Sequence, residues 1–112
     1  TEDFLSSLKT CNYLRHRLAL EFAQASDFDD ALIITAGDIV LESTQANVFA
    51  YFNDRWLTPP LGAILPGTVR NLILHEKGLN VAEEAFTLEE LEDASEVVLT
   101  NSVRGVVAVR EI

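Results

Sequence analysis

The turn Leu65-Pro66-Gly67-Thr68-Val69-Arg70 constrains the fold more than any other feature of the sequence. Pro and Gly interrupt the extended chain before it, and the residues after it have the apolar spacing of a helix. The first N–H groups of a helix have no partner within the helix, and the helix dipole is positive at that end. The sequence therefore predicts a loop-to-helix junction that can bind a phosphate group or another dianion.

Two further motifs precede this turn. Glu42-Ser43-Thr44-Gln45-Ala46-Asn47-Val48-Phe49 places an acidic residue at the end of one β-like run and an Asn at the start of the next. Lys9-Thr10-Cys11-Asn12-Tyr13 lies earlier in the chain. Lys9 and Lys77 are its only lysines, so chemistry that requires a lysine has two candidates. Lys77 ends a predicted helix, where a cation offsets the helix dipole, so Lys9 is the better candidate.

Composition limits the class of protein. The chain has 112 residues, 48% of them apolar, which predicts one compact globular domain over residues 1–112. We expect no membrane span, because no apolar run approaches about 20 residues. The net charge of −10 argues against a nucleic-acid partner. The single Cys11 suits a cytoplasmic protein, and no residue cluster predicts a metal site. Because the chain begins at Thr1 without a recognisable signal peptide, we expect a domain excised from a longer chain.

Periodicity predicts the order α-β-β-β-β-α-β-α-β-β. The first helix is predicted to bury a stripe that includes Leu18 and Phe22, and Gly37 is predicted to supply the positive φ of a tight hairpin. The remaining predictions are strands over Ala31–Thr35, Ile39–Leu41, Asn47–Phe52, Arg55–Thr58, Val81–Ala82, Glu96–Thr100 and Val106–Arg110, a helix over Thr68–Lys77 ended by Gly78 at C′, and a helix begun by the capping box Thr87-Leu88-Glu89-Glu90.

The order Lys, then Glu-x-Ser-x-x-Asn-Val-Phe, then Thr-Pro-Pro followed by Leu-Pro-Gly-x-x-Arg resembles the fold-type IV, pyridoxal-phosphate-dependent aminotransferases and lyases. The resemblance spans nearly the whole chain. It implies a mixed α/β pseudo-barrel, the C-terminal domain of a D-amino-acid aminotransferase-like fold, with pyridoxal 5′-phosphate as cofactor. It also implies a missing N-terminal domain, a further segment after Ile112 and a homodimer.

The resemblance assigns three residues to the reactive part of the cofactor. Lys9 corresponds to the lysine that binds the cofactor aldehyde covalently and then acts as general acid and base. Glu42 corresponds to a carboxylate that bonds the protonated pyridine nitrogen. Asn47 is open between a contact in the cofactor site and pairing with backbone at a strand start. Arg70, in contrast, is expected to pair within the structure.

Other implied contacts surround the phosphate and the ring. Thr68 and Val69 correspond to residues whose backbone N–H groups bind the phosphate, and Ser102 to a residue whose hydroxyl contacts it. Leu65 corresponds to a residue that packs on the ring face. Tyr13 corresponds to a contact with the phenolic oxygen, although its place on an apolar stripe also fits a core residue.

The segment Leu99–Val107 indicates the reaction. It resembles the Leu-Thr-Asn-Ser-x-x-Gly-Val segment of bacterial aminodeoxychorismate lyases more than the Thr-Gly-Thr-Ala segment of branched-chain aminotransferases. The resemblance implies elimination of pyruvate from 4-amino-4-deoxychorismate to give 4-aminobenzoate, a step of folate biosynthesis, with Asn101 and Arg104 as substrate contacts. Two alternatives stay open: a D-amino-acid or branched-chain aminotransferase, and a catalytically silent binding or structural domain.

Overall fold

The structure, a computed structural model, describes residues 16–60, 67–76 and 78–112. Lys9, Tyr13 and Leu65 lie outside the described residues. The chain divides into two compact units, Thr1–Ala31 and Leu32–Ile112, each described here by itself; the single domain over residues 1–112 stays a prediction. Among the described helices, none is long and apolar enough to cross a lipid bilayer.

The smaller unit contains a helix, α1, of which residues 16–25 are described. The predicted stripe is wrong for this part, because Leu18 and Phe22 are exposed whereas Ala23 is buried. Residues 16, 19, 20 and 23 also recur at helical spacing, so periodicity alone does not select the buried side. After the helix Asp27 takes a positive φ of 68°, and the N–H of Phe28 donates to the carbonyl of Ala23 at 2.8 Å.

The larger unit opens with an antiparallel pair, β1 (Leu32–Ile34) and β2 (Val40–Ser43). The prediction that Gly37 supplies the positive φ between them is wrong, because Asp38 does so, with φ 63°. The hydroxyl of Thr35 accepts the N–H groups of Gly37 and Ile39 at 3.2 and 3.1 Å. This side-chain turn fixes the loop and moves the left-handed residue one position along.

Five more strands form one sheet: β3 (Asn47–Phe52), β4 (Arg55–Thr58), β5 (Val81–Glu83), β6 (Glu96–Asn101) and β7 (Gly105–Ala108). Their spatial order is β5-β4-β3-β6-β7, antiparallel except for the parallel pair β4 and β5. The predicted hairpin of β3 and β4 is confirmed. Its two turn residues, Asn53 and Asp54, both have positive φ, as the right-handed twist of a hairpin favours.

Two helices occur in the described part of this unit, α2 (Thr68–Leu74) and α3 (Leu88–Glu92). The prediction that α2 continues to Lys77 with Gly78 at C′ is wrong. After Leu74 the N–H of Glu76 donates to the carbonyl of Ile73 at 3.2 Å. A hydrogen bond to the third preceding residue has 3₁₀ geometry, which tightens the last turn and ends the α-helix. Gly78, with φ 94°, lies in the turn that follows.

The apolar core lies on one face of the sheet. Val48 and Ala50 alternate with Asn47 and Phe49 along β3, so the two pairs point to opposite faces. The buried cluster combines the first pair with residues of β2, β4, α3, β6 and the β5–α3 loop, and consists of Val40, Val48, Ala50, Leu57, Phe86, Leu91 and Val97. Helix α2 packs against β5 and β6. Each face of the sheet therefore has its own set of side chains.

Candidate active site

Polar side chains gather at one end of the five-stranded sheet. Asn47 begins β3 and lies directly opposite Thr100 of β6, so their side chains share a face. The pairing of Ala50 with Leu57 places Thr58, at the end of β4, beside the same end of β3. All three polar residues are buried. We call Asn47, Thr58 and Thr100 the polar end of the sheet.

Two hydroxyl groups at the polar end have different surroundings. Thr58 Oγ1 donates to the carbonyl of Val48 at 2.7 Å, which satisfies it within the sheet. Thr100 Oγ1 is buried and has no hydrogen-bond partner among the described residues. Because an unpaired buried hydroxyl is unfavourable, Thr100 is a position where a ligand group could complete the hydrogen bonding.

Glu42 lies across a tight turn from Asn47. The turn is closed by Ser43, whose N–H and hydroxyl both donate to the carbonyl of Ala46, at 2.9 and 3.2 Å. Glu42 is only 7% exposed and Asn47 only 5%. A carboxylate is rarely so buried unless it interacts with a cation or with hydrogen-bond donors. The turn thus places Glu42 next to Asn47 of the polar end.

The start of α2 approaches the same place. Gly67 is the N-cap residue, with extended backbone, and has no side chain to cap the helix. A Cβ at Gly67 would collide with Oδ1 of Asn47, so the contact depends on glycine. Thr68 is exposed and Val69 is partly buried, and the first turn has no acidic residue. Their backbone N–H groups belong to the helix end that attracts anions.

The turn between β6 and β7 completes the group. Oδ1 of Asn101 accepts the N–H groups of Val103 and Arg104 at 3.0 and 2.6 Å, and its Nδ2 donates to the carbonyl of Gln45 at 3.2 Å. The Asn101 amide therefore joins the β6–β7 turn to the β2–β3 turn. Ser102 and Arg104 are exposed on this turn, beside the polar end.

Arg70 pairs within the structure, as predicted. It is fully buried, and its Nη2 donates to the carbonyl of Pro59 at 2.9 Å and lies 3.3 Å from Oε1 of Glu83. Because β4 and β5 end side by side, this guanidinium attaches α2 to both strand ends. Sequence reasoning did not foresee its complete burial.

Tyr51 lies toward the other end of β3. Burial raises the pKa of its phenol, and so do the charge of Asp54, the hydrogen bond to Asp54 and the charge of Glu96. The phenol donates to Oδ1 of Asp54 at 3.4 Å. Asp54 lies in the β3–β4 turn and Glu96 pairs with Tyr51 at the far end of β3 from Asn47, so the phenol is not part of the candidate site.

The structure brings most of the predicted site residues to one end of the larger unit. Those described there are Glu42, Asn47, Thr68, Val69, Asn101, Ser102 and Arg104. Thr58 and Thr100 were missed. Thr100 could have been found only from the pairing of β3 with β6, since no local pattern marks it.

Comparison with known proteins identifies the family. The family model "Amino-transferase class IV" matches residues 1–112. The provisionally assigned branched-chain-amino-acid aminotransferase of Methanocaldococcus jannaschii is 34% identical over 110 residues, which is 95% of this chain. The aminodeoxychorismate lyase of Vibrio harveyi is 31% identical over 115 residues, 99% of this chain. The chain belongs to the class IV aminotransferase family.

Solved structures agree with this family. A provisionally assigned 4-amino-4-deoxychorismate lyase from Legionella pneumophila matches with a TM-score of 0.81 and 36% identity, covering 88% of this chain and 38% of that one. An aminotransferase from Brucella abortus bound to pyridoxal phosphate matches with a TM-score of 0.77 and 30% identity over 88% of this chain and 37% of that one. The predicted fold class is confirmed. The chain spans 38% and 42% of the two curated relatives.

Proposed function

We propose that this chain is the cofactor-binding part of a pyridoxal-phosphate-dependent 4-amino-4-deoxychorismate lyase. Family membership supports an enzyme of this cofactor class, since relatives include that lyase and an aminotransferase bound to pyridoxal phosphate. The observation that carries the proposal is the meeting of Glu42, Asn47, the start of α2 and the β6–β7 turn at one end of the larger unit. A cytoplasmic location, a homodimer and an additional N-terminal domain are parts of the proposal.

The polar end of the sheet, together with Glu42 and the start of α2, fits pyridoxal phosphate. A phosphate group needs several hydrogen-bond donors, and the uncapped start of α2 supplies neutral ones. A protonated pyridine nitrogen needs a carboxylate in a site shielded from water, and Glu42 is a buried carboxylate. Thr100 adds a buried hydroxyl with no partner among the described residues. The set combines donors for an anion with an acceptor for a cation.

Each residue then has a task in holding the cofactor. The backbone N–H groups of Thr68 and Val69 and the hydroxyl of Ser102 would bind the phosphate. The Glu42 carboxylate would bind the ring nitrogen and keep it protonated, and Asn47 would hold the start of β3 against Gly67. Leu65 and Tyr13 are proposed, from the family resemblance, to contact the ring. When bound, the cofactor supplies a ring that accepts the electron pair released from the substrate.

Lys9 is proposed to move the proton. Its amine would remove the proton from C4 of 4-amino-4-deoxychorismate, for which it must be unprotonated when it acts. The C–O bond to the enolpyruvyl group then breaks, the ring becomes aromatic as 4-aminobenzoate, and the released group takes up a proton to become pyruvate. Asn101 and Arg104 would contact the substrate, with the Arg104 guanidinium matched to its carboxylates. Atoms and charge balance without a keto-acid.

A D-amino-acid or branched-chain aminotransferase is the second candidate. The M. jannaschii relative favours it, with 34% identity. The segment Leu99-Thr100-Asn101-Ser102 favours the lyase, because it resembles the corresponding segment of bacterial aminodeoxychorismate lyases more than that of branched-chain aminotransferases. An aminotransferase would require a keto-acid to complete each cycle, whereas the lyase would not.

The experiment incubates the full-length protein with 4-amino-4-deoxychorismate and no keto-acid. Repeated turnover to 4-aminobenzoate and pyruvate would support the lyase. Amino transfer from D-alanine or leucine to 2-oxoglutarate without these products would support the aminotransferase. Absence of both activities would favour the silent domain.

Borohydride reduction of the cofactor-loaded protein tests the lysine assignment. We expect a pyridoxyl label on Lys9, detected by peptide mapping, and no labelling in a Lys9→Ala variant. Lys77→Ala is the matched control, because it removes the only other lysine and should leave the label in place. A label on Lys77 in the unaltered protein would refute the assignment.

A further inference from the structure

The guanidinium of Arg70 has more hydrogen-bond donors than its described neighbours accept. Its Nη2 bonds the Pro59 carbonyl and contacts the Glu83 carboxylate. Within residues 16–60, 67–76 and 78–112, its Nε and Nη1 have no hydrogen-bond partner, although the side chain is 0% exposed. An arginine side chain carries its positive charge throughout the physiological pH range. The larger unit therefore buries a cation whose hydrogen bonding is incomplete as far as the described residues are concerned.

Stability alone does not account for this arrangement. Removing a charge from water is unfavourable unless it is fully paired and hydrogen-bonded. Glu83 provides only partial compensation, because its side chain is 43% exposed and its carboxylate lies 3.3 Å away. A methionine of similar length could fill the same space without burying a charge. We therefore looked for a neighbouring group on which the charge of Arg70 could act.

The start of α2 is nearby. Arg70 follows Gly67 by three residues, so the two lie on the same side of the helix, and a Cβ at Gly67 would be 3.7 Å from the Cβ of Arg70. Helical side chains lean toward the N-terminus. The bond to Pro59 places the guanidinium against the end of β4. The Arg70 side chain thus runs from the first turn of α2 to the end of β4.

We propose that Arg70 is a positioning residue for the phosphate of pyridoxal phosphate: its buried charge raises the positive potential at the start of α2, and Glu83 moderates that effect. This inference rests on the proposed cofactor-binding function and identifies a cation within this chain that favours a dianion. The need for one follows from the net charge of −10, which by itself disfavours an anionic ligand. The guanidinium acts on the phosphate through the helix start without a contact of its own.

Two neighbouring glutamates give a matched test. Glu83 faces Arg70, whereas Glu84 pairs with Arg55 at 2.6 Å on the other side of the strand. Glu83→Gln and Glu84→Gln therefore change the net charge equally, but only the first removes the counter-ion of Arg70. The measurement is the affinity of the full-length apo-protein for pyridoxal phosphate relative to pyridoxal, which lacks the phosphate.

We expect the unaltered protein to favour pyridoxal phosphate. Glu83→Gln should raise the preference about threefold, because a partly screened opposing charge is removed, and Glu84→Gln should leave it unchanged. Arg70→Met should lower the preference about tenfold while Arg70→Lys retains most of it. The glutamate pair decides the question even if the Arg70 variants fail to fold.

Equal preferences in the two glutamate variants would overturn the inference, because the effect would then follow net charge alone. A parallel loss of both ligands in Arg70→Met would do the same, since a purely structural role predicts it. These outcomes leave the proposed cofactor function intact. An unaltered protein that binds the two ligands equally would instead overturn the proposed function and this inference together.

Discussion

Helices α2 and α3 are both short, yet their first turns are built in opposite ways. At α3 the hydroxyl of Thr87 accepts the N–H of Glu90 at 3.1 Å, and the Glu90 carboxylate accepts the N–H of Thr87 at 3.0 Å. This confirms the predicted capping box, and the first turn contains two acidic residues, Glu89 and Glu90. At α2 the cap is Gly67, with no side chain, and the third residue is a buried arginine.

The side chains of α3 satisfy N–H groups at its own start, whereas α2 leaves its first N–H groups available to a ligand. The capping box satisfies the N–H groups of Glu90 and Thr87, and the carboxylates of Glu89 and Glu90 in the first turn repel anions. The start of α2 has neither feature, and a serine cap is excluded at Gly67 because its Cβ would collide with Oδ1 of Asn47. The uncapped start of α2 indicates a ligand-binding role because α3, in the same unit, has a complete cap.

The largest effect on the difference between the two helix starts is expected from Gly67→Ala. The new Cβ would collide with Oδ1 of Asn47, which must then move together with the helix start. We expect affinity for pyridoxal phosphate to fall about 100-fold, since each hydrogen bond to a charged group contributes about 1.5–3 kcal/mol. The measurement is a cofactor titration of the full-length protein.

Gly37→Ala is the matched control for this variant. A Cβ there would meet only Thr35 Oγ1, at 3.8 Å, so affinity should not change. Combining Gly67→Ala with Asn47→Ala should recover part of the loss, because the colliding atom is gone. Unchanged affinity in Gly67→Ala would show that the close contact with Asn47 does not hold the helix start.

Thr68→Glu would make the first turn of α2 resemble that of α3. The new carboxylate should stabilise the helix by about 0.3–1 kcal/mol through the dipole. It should also weaken binding of the phosphate about tenfold, because like charges would share the helix start. Thr68→Gln, of the same size but neutral, is the control and should bind normally. If both variants bind like the unaltered protein, the start of α2 does not bind the phosphate.

Removing the cap of α3 tests the other half of the comparison. Thr87→Ala should lower the free energy of unfolding by about 1 kcal/mol, because the Glu90 N–H loses its acceptor. Urea denaturation measures this, and cofactor affinity should stay the same. Thr87→Ser keeps the hydroxyl and should retain most of the stability. Cofactor loss in Thr87→Ala would contradict the division of roles between the helices.

The smallest effect is expected from Glu89→Gln in the first turn of α3. Its charge interacts favourably with the helix dipole, so the variant should lose about 0.3 kcal/mol at low salt and less at high salt. Glu92→Gln, in the last turn, should shift stability in the opposite direction, because a negative charge is unfavourable there. The same sign for both variants would show that the dipole does not determine the effect.

Local features were predictable from the sequence because their signals are local. The Asn53-Asp54 turn and the Thr87–Glu90 capping box are both defined within a few residues, and the structure confirms both. The motif around Glu42 and Asn47 also marked the ends of two strands at nearly the right positions. Family resemblance then supplied the roles of these residues.

Two kinds of feature were not predictable. The Gly37 N–H donates to the Thr35 hydroxyl, and the positive φ falls at Asp38 instead of Gly37. Composition does not predict which of these turn geometries forms. The burial of Arg70 and Thr100 depends on strands and helices that meet only in the folded chain. An arginine in a short helix is usually exposed, so nothing near it in sequence indicates a buried charge.

The pairing of β3 with β6 has a consequence for the order of folding. The turn of the β3–β4 hairpin contains two residues, whereas the Tyr51–Glu96 pair closes a loop that includes α2, β5 and α3. Closing that loop costs about 2–3 kcal/mol more chain entropy than closing the hairpin. We therefore expect the hairpins to form early and the β3–β6 ladder to form late. Asn47 and Thr100 would then meet only as the sheet is completed, in the same step that brings Val97 of β6 into the apolar core beside Ala50 of β3.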